Sequence, residues 1–485
     1  MKKSLLAAAI TAALIPVTAS AAGPLASITK AWTYTHDLAG GQTSEIPAFD
    51  AATNTLWVVG IVGVDVLNAS NGSLLQHINT TSFGSVNSVA IHNGVAAFAI
   101  ENSTRTNAGT VQFYNTSTRI NTGGVAVGAL PDMLTFTPNG SKLLVANEGT
   151  PSTYGIPASD PAGSVSIIDM TTRTVTATAS LSGVAQTGSN IRTNTGMDFE
   201  PEYITVNAAG TQAYVSLQEA NAMGVLDLTS NSFSKIVGLG TKNFNTATNA
   251  IDPKDNDGVK NLRPANVSGL YQPDGMAAYQ AGGKTYIVMA NEGDTREDDG
   301  DKARAGSLTT DADLKRLNIS TTDSTTNNLV TFGARSFSIR DENGNIVFDS
   351  GNQLDAKAIA LGIYDDTRSD DKGVEPEGVS LLDIAGRKLA FIGLERTLKG
   401  AVAIYDVTDP ANASFVDMIV TDGDFAPEGL TTYTMGGISY LAISNEVSGT
   451  TSVYSLTPVP EPESYAMMLA GLGLIGFATR RRKQK

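Results

Sequence analysis

The chain has 485 residues, a formal net charge of −15, 41% hydrophobic residues, 48 glycines, no cysteine and three histidines. The acidity argues against a nucleic-acid partner, which needs basic patches, and the missing thiols exclude disulfides, thiol catalysis and cysteine-bound metals. His36, His77 and His92 all fall in the first fifth of the chain, which argues against a histidine-rich zinc site or a Ser-His-Asp triad.

Residues 1–22 have the three parts of a secretory signal peptide: Lys2 and Lys3 at the front, an apolar stretch from Leu5 to Val17, and small residues at Ala19-Ser20-Ala21. Signal peptidase is thereby expected to cut at Ala21, leaving a chain that begins near Ala22. A strand is predicted from about Ile28 to Tyr34.

A phrase then recurs through residues 28–457: a polar or acidic residue beside Pro, a strand, a turn, a second strand ending in Glu, and a third strand led by Gly. It begins weakly at Ile46-Pro47-Ala48 and near Ser88. It sharpens at Leu130-Pro131-Asp132, Glu200-Pro201-Glu202 and Gln272-Pro273-Asp274-Gly275, and is clearest at Glu375-Pro376-Glu377-Gly378 and Ala426-Pro427-Glu428-Gly429. Uninterrupted copies are about 40 to 50 residues apart, the size of a four-stranded propeller blade. Stretches such as Ala401-Val402-Ala403-Ile404-Tyr405 are apolar enough for buried strands. Seven copies predict a seven-bladed β-propeller. The last copy is one strand short, so the strand at 28–34 is expected to complete it and seal an otherwise exposed edge.

These motifs, with Asn147-Glu148-Gly149 and the run from Asn291 to Glu297, resemble the choice-of-anchor I family, itself related to mesenchyme-specific cell-surface glycoproteins. The resemblance implies a surface propeller. It brings no established catalytic residues with it.

In a propeller, neighbouring antiparallel strands run in opposite directions, so the start of a first strand lies beside the end of a second. Acids recur at both places: Asp132, Glu202, Asp274, Glu377 and Glu428 at the starts, and Glu101, Glu148, Glu219, Glu292, Glu395 and Glu446 at the ends. Such a ring at one channel mouth needs compensation by arginine, by backbone N–H groups or by a hard cation. An all-oxygen setting favours Ca²⁺ or Mg²⁺, with Glu148, Glu202, Glu219, Glu292, Glu377, Glu395, Glu428 and Glu446 as candidate ligands. The alternative role for each Glu is a clip between blades. Arg296 and Arg396 are the candidate counter-charges, and a cluster of Arg296, Arg304, Arg335, Arg396 and Lys399 on the acidic face would distinguish a phosphate-handling site from a binding one.

Four long segments (186–199, 242–270, 294–330 and 355–373) are expected as loops on the acidic side. One contains Asp252 to Gly258, which matches part of a calcium loop but lacks its closing Glu; a turn with surface acids is the alternative. Glu297 to Asp301 reads as a solvated charge run.

The chain ends with Pro460-Glu461-Pro462, an apolar run of about 14 residues from Tyr465 to Ala478, and Arg480-Arg481-Arg482-Lys483. The run is short for a span of roughly 20 residues, and the basic cluster would hold it at the cytoplasmic face. The three parts in order resemble the PEP-CTERM sorting signal over 458–485. This implies membrane residence before processing, recognition by an exosortase, cleavage near Pro460, Glu461 and Pro462, and release or attachment at the surface of a Gram-negative bacterium. The functional expectation is therefore a surface-anchored binding protein for divalent cations, exopolysaccharide or another extracellular ligand. The alternative is a metal-dependent phosphoesterase or other hydrolase in the same acidic mouth.

Overall fold

The computed structural model describes residues 23–193, 199–298, 300–326 and 328–459. The signal segment with Ala21 and the sorting segment with Pro460, Glu461 and Pro462 lie outside the described residues.

The protein is all-β and forms multiple small antiparallel sheets. Seven of those described have four or five strands. The first holds Pro47–Asp50, Thr55–Gly60, Gly63–Asn68 and Leu74–Asn79; the second holds Val86–His92, Val95–Ile100, Ala108–Asn115 and Asn121–Ala129. Next come Pro131–Phe136, Lys142–Asn147, Ser164–Asp169 and Thr174–Ser180, then Ile204–Val206, Gln212–Leu217, Ala222–Asp227 and Ser232–Leu239. The fifth holds Met276–Ala281, Lys284–Asn291, Ser336–Asp341 and Ile346–Asp349. The sixth holds Pro376–Ile384, Arg387–Leu394, Gly400–Asp406 and Ser414–Thr421. The seventh joins Pro427–Met435, Ile438–Asn445 and Thr450–Pro458 to Leu25–Thr35 from the other end of the chain. Ile28 faces Leu456 and Tyr34 faces Thr451 in that closing pair.

Turn chemistry sets the hairpins. At the end of the third strand, the side chains of Asn68, Asn115, Asp169, Asp227, Asp341 and Asp406 each accept from a backbone N–H two or three residues on. These local acceptors fix the turn into the fourth strand, and they account for much of the chain's Asn and Asp followed by Ser and Thr.

The strands are apolar on both faces because each sheet packs on two neighbours. Leu143 and Val145 face the second sheet, joining Ala97 and Phe113, whereas Leu144 and Ala146 face the fourth, joining Ala213 and Val215. The same alternation sends Leu389 and Phe391 toward the seventh sheet, and Ala390 and Ile392 toward the fifth. Three further clusters join first to second, fourth to fifth, and seventh back to first, where Leu56 and Val58 meet Tyr433 and Ala442.

The long insertions are more ordered than loops. Gln186–Ser189 adds a parallel fifth strand beside Ser232–Leu239. Thr241–Asn243, Val267–Leu270 and Leu329–Thr331 form a small sheet over their own core of Phe244, Ile251, Leu317 and Leu329. The segment 355–373 begins inside a helix, Gln353–Ala360, whose Leu354 and Ala358 enter the core between the fifth and sixth sheets. The expectation of loops on one face thus fails for these parts, because their apolar residues have cores to enter. Among the described residues no helix is long and apolar enough to cross a membrane.

Candidate functional site

The start of four of the repeats is built by the same backbone geometry. Leu130, Gln272, Glu375 and Ala426, each just before a proline, have φ of 46°, 42°, 50° and 55°. A left-handed conformation costs a non-glycine residue about 1–3 kcal/mol. The kink turns each carbonyl toward the end of the second strand, where the N–H groups of Glu148, Glu395 and Glu446 donate to Leu130, Glu375 and Ala426 at 2.8–2.9 Å. In the fifth sheet Gly293 takes that place on Gln272, at 3.0 Å. The two acidic positions of the repeat are thereby pinned side by side.

The glycine that follows the acid has a different cause. A Cβ on Gly275 would lie 2.4 Å from the Glu377 carbonyl oxygen, one on Gly378 2.0 Å from that of Glu428, and one on Gly429 2.1 Å from that of Glu45. First strands of consecutive sheets approach too closely there for any side chain. A cavity of about 290 Å³ is lined by Phe49, Val89, Leu134, Tyr203, Asp274, Val379 and Leu430, so every one of the seven sheets or its leading residue contributes. Asp132 and Glu428 also border a second cavity of about 480 Å³, lined by Glu45, Glu101, Glu148 and Arg105.

The acids form one electrostatic network. Burial, and then the charges of Glu395, Glu428, Glu292 and Asp274, hold the Glu377 carboxyl well above the usual carboxylate range. Glu428 is raised by burial and then by Glu45, Glu446, Asp274 and Glu395. Glu202 is raised by burial and then by Glu148, Asp294, Asp274 and Glu219. Burial is also the main cause that pushes Glu148 and Glu395 up to about 8, Glu219 to about 9, and Asp132 and Asp294 to about 6.

Of the eight predicted ligands, the closest groupings include three. Carboxylate oxygens of Asp274, Glu292 and Glu377 lie within 4.8 Å of one another, as do those of Glu292, Glu375 and Glu395. Glu148, Glu202 and Glu219 gather with Asp294 toward the third and fourth sheets, and Glu428 and Glu446 with Glu45 at the seam of the seventh and first. Glu202 and Glu219 are only 8% and 5% exposed, yet Oε2 of each has no hydrogen-bond partner, and neither has Oε2 of Glu377.

The counter-charges differ from those expected. Lys372 Nζ lies 2.6 Å from Glu292 Oε1 and 2.9 Å from Glu375 Oε2, and Arg368 pairs with Glu375 at 2.6 Å. Arg396 does reach the mouth, 2.7 Å from Glu395. Arg296 instead pairs with Asp298 and lies over the Tyr154 ring, Lys399 pairs with Asp422, Arg304 with Asp370, and Arg335 is buried against Asp355. The candidate calcium loop is also committed to protein donors: Asp252 accepts from the N–H groups of Lys254 and Asn261, Asp255 pairs with Arg316, and Asp257 with Lys254. In the charge run, Glu297 pairs with Arg105 and Asp301 with the buried Arg192, so these acids tie the insertions down.

Sequence reasoning missed Glu45, Asp294, Glu375, Lys372 and Arg368 as members of this region. Glu375 carried a readable signal, since it opens the clearest repeat as the acid before Pro376.

An all-β domain with repeated sheets and a C-terminal sorting signal defines an exported surface protein. The choice-of-anchor I domain matches residues 45–410, and the chain belongs to that family. The PEP-CTERM protein-sorting motif matches residues 458–483; it implies recognition by the exosortase system and marks an exported cell-envelope or surface protein of a Gram-negative bacterium. No curated protein matches the chain. Among solved structures it is similar to Kuenenia stuttgartiensis hydrazine synthase, at 12% identity and a TM-score of 0.52, covering 87% of this chain and 96% of the other. At that identity the likeness concerns the fold alone.

Proposed function

We propose that the seven large sheets are blades of a β-propeller closed by Leu25–Thr35, and that its acidic mouth binds a divalent cation at the cell surface. The closed succession of seven inter-sheet cores supports the propeller. The observation that carries the cation is the Asp274–Glu292–Glu377 triplet. Its oxygens are within 4.8 Å of one another, and among the described residues neither Asp274 nor Glu377 has an ion-pair partner. Oxygens around one hard cation, at about 2.1 Å for Mg²⁺ or about 2.4 Å for Ca²⁺, are at most about 4.2 to 4.8 Å apart, so the grouping is close enough for such an ion. The buried, donor-less oxygens of Glu202, Glu219 and Glu377 fit a site whose positive partner comes from solution.

A bound ion with open coordination positions would accept carboxylate or hydroxyl groups of an extracellular polysaccharide. Phosphoester hydrolysis is less well supported, because Lys372, Arg105 and Arg396 are turned to carboxylates rather than toward a place for phosphate. The test is elemental analysis of the exported protein, followed by calorimetric titration of chelated protein with CaCl₂ and MgCl₂. Micromolar or tighter calcium binding supports the proposal. Heatless titrations together with no co-purified metal contradict it.

A further inference from the structure

Two carboxylate triplets share Glu292, and they are treated differently by the fold. The Asp274–Glu292–Glu377 group lacks a cation on two of its members, while the Glu292–Glu375–Glu395 group has Lys372 bridging Glu292 and Glu375, with Arg368 on Glu375 and Arg396 on Glu395. Lys372 Nζ lies 2.6 Å from Glu292 Oε1, 2.9 Å from Glu375 Oε2 and 2.6 Å from the Gly293 carbonyl oxygen. The ammonium donates hydrogen bonds to Glu292 Oε1 and the Gly293 carbonyl oxygen and forms an ion pair with Glu375 Oε2. Its neighbourhood is built to keep it: Glu375 is 1% exposed, and its other oxygen is taken by Arg368.

We infer that Lys372 is a tethered cation filling a second divalent-ion position, so that the mouth takes one ion fewer than its carboxylates would hold. This rests on the reading of the mouth as a cation site, and it names the residue that sets the ion count. An ammonium and a hard dication compete for the same oxygen ligands, but the lysine comes pre-bound on its own chain. Removing it leaves Glu375 Oε2 with only Arg396, at 4.0 Å, and leaves Glu292 beside the carboxylates of Glu375 and Glu395 with no cation of its own. Three all-oxygen ligands with one missing positive charge then fit Ca²⁺. Arginine at the same position keeps the charge and should keep the position closed.

The experiment is calcium stoichiometry, by calorimetry and elemental analysis, on the exported wild type, Lys372→Met and Lys372→Arg. Lys372→Met should bind one more Ca²⁺ per chain than the wild type, and Lys372→Arg should match the wild type. Equal, non-zero stoichiometry in the wild type and Lys372→Met overturns the inference while leaving the cation-binding reading intact, and no calcium in either overturns both. Binding by Lys372→Met alone, with none by the wild type, overturns that reading and leaves this one standing. If Lys372→Met fails to fold in chelator, added calcium should restore folding, because the ion replaces the ammonium. Failure to fold in both conditions also overturns the inference.

Discussion

Gly378 lies against the carbonyl oxygen of Glu428 so closely that a Cβ would be 2.0 Å from it. That contact ties the first strand of the sixth sheet to the first strand of the seventh, next to Glu377 on one side and at Glu428 itself on the other. Overpacking of this kind costs about 1–3 kcal/mol. Gly378→Ala should therefore lower unfolding stability by about that amount in urea denaturation. Gly23→Ala, with nothing within 4 Å of its Cβ, should change it by no more than about 0.5 kcal/mol.

The closing strand permits a covalent test. Thr29 pairs with Ser455, and the chain has no cysteine of its own. The double variant Thr29→Cys/Ser455→Cys should form a disulfide on mild oxidation, seen as a linked peptide by mass spectrometry. Thr29→Cys with Ser439→Cys, a position on the second strand of that sheet, should not cross-link. The reverse pattern would contradict the observed register.

How far the sequence reveals this arrangement depends on which residues act locally. Pro376-Glu377-Gly378 is readable because its three demands are made by adjacent residues: a kink before proline, a carboxylate at the strand start and a glycine at the close approach. Glu45 hides because its repeat has no acid after Pro47 and the Glu sits two residues before it. Lys372 and Arg368 are invisible for a different reason. They lie at the end of an insertion, and their convergence on Glu292 and Glu375 depends on how the helix Gln353–Ala360 enters a core between two sheets. Gln186–Ser189 is wholly exposed and polar, so no alternation marks it as a strand; its pairing with Ser232–Leu239 is purely backbone.

Processing should be visible in the protein's mass. Surface-extracted protein from an exosortase-containing host should begin near Ala22 and end near Pro460-Glu461-Pro462, with peptides containing Lys2 or Arg481 missing. Retention of Arg481 would indicate a plain membrane anchor instead.

The mouth also predicts a pH dependence in metal-free protein. Asp132 and Asp294 are pushed up to about 6, Glu148 and Glu395 to about 8 and Glu219 to about 9, against about 4 in the unfolded chain. A raised carboxyl holds its proton more tightly when folded, so its contribution is complete below about pH 4 and is lost as pH rises through the folded value. Asp65 and Asp255 are held low and act only in acid, outside this window. The melting temperature in chelator should fall between about pH 5 and pH 9. Because calcium needs deprotonated ligands, it should stabilise more at pH 8 than at pH 5. A flat or rising melting temperature in chelator would contradict the repulsion argument.

Thermal melting of two proteins in two solutions decides whether the converging carboxylates await a cation or serve as clips between sheets. Binding only to the folded state adds about 2.7 kcal/mol at a hundredfold excess of ligand over Kd. Calcium should therefore raise the wild-type melting temperature by several degrees over chelator. At alkaline pH, Glu377→Gln/Glu428→Gln should melt higher than the wild type in chelator, since two buried carboxyls that resist ionisation are gone, and it should ignore calcium. A wild type indifferent to calcium, with a double variant less stable in both solutions, would show that Glu377 and Glu428 are structural clips and do not await a cation.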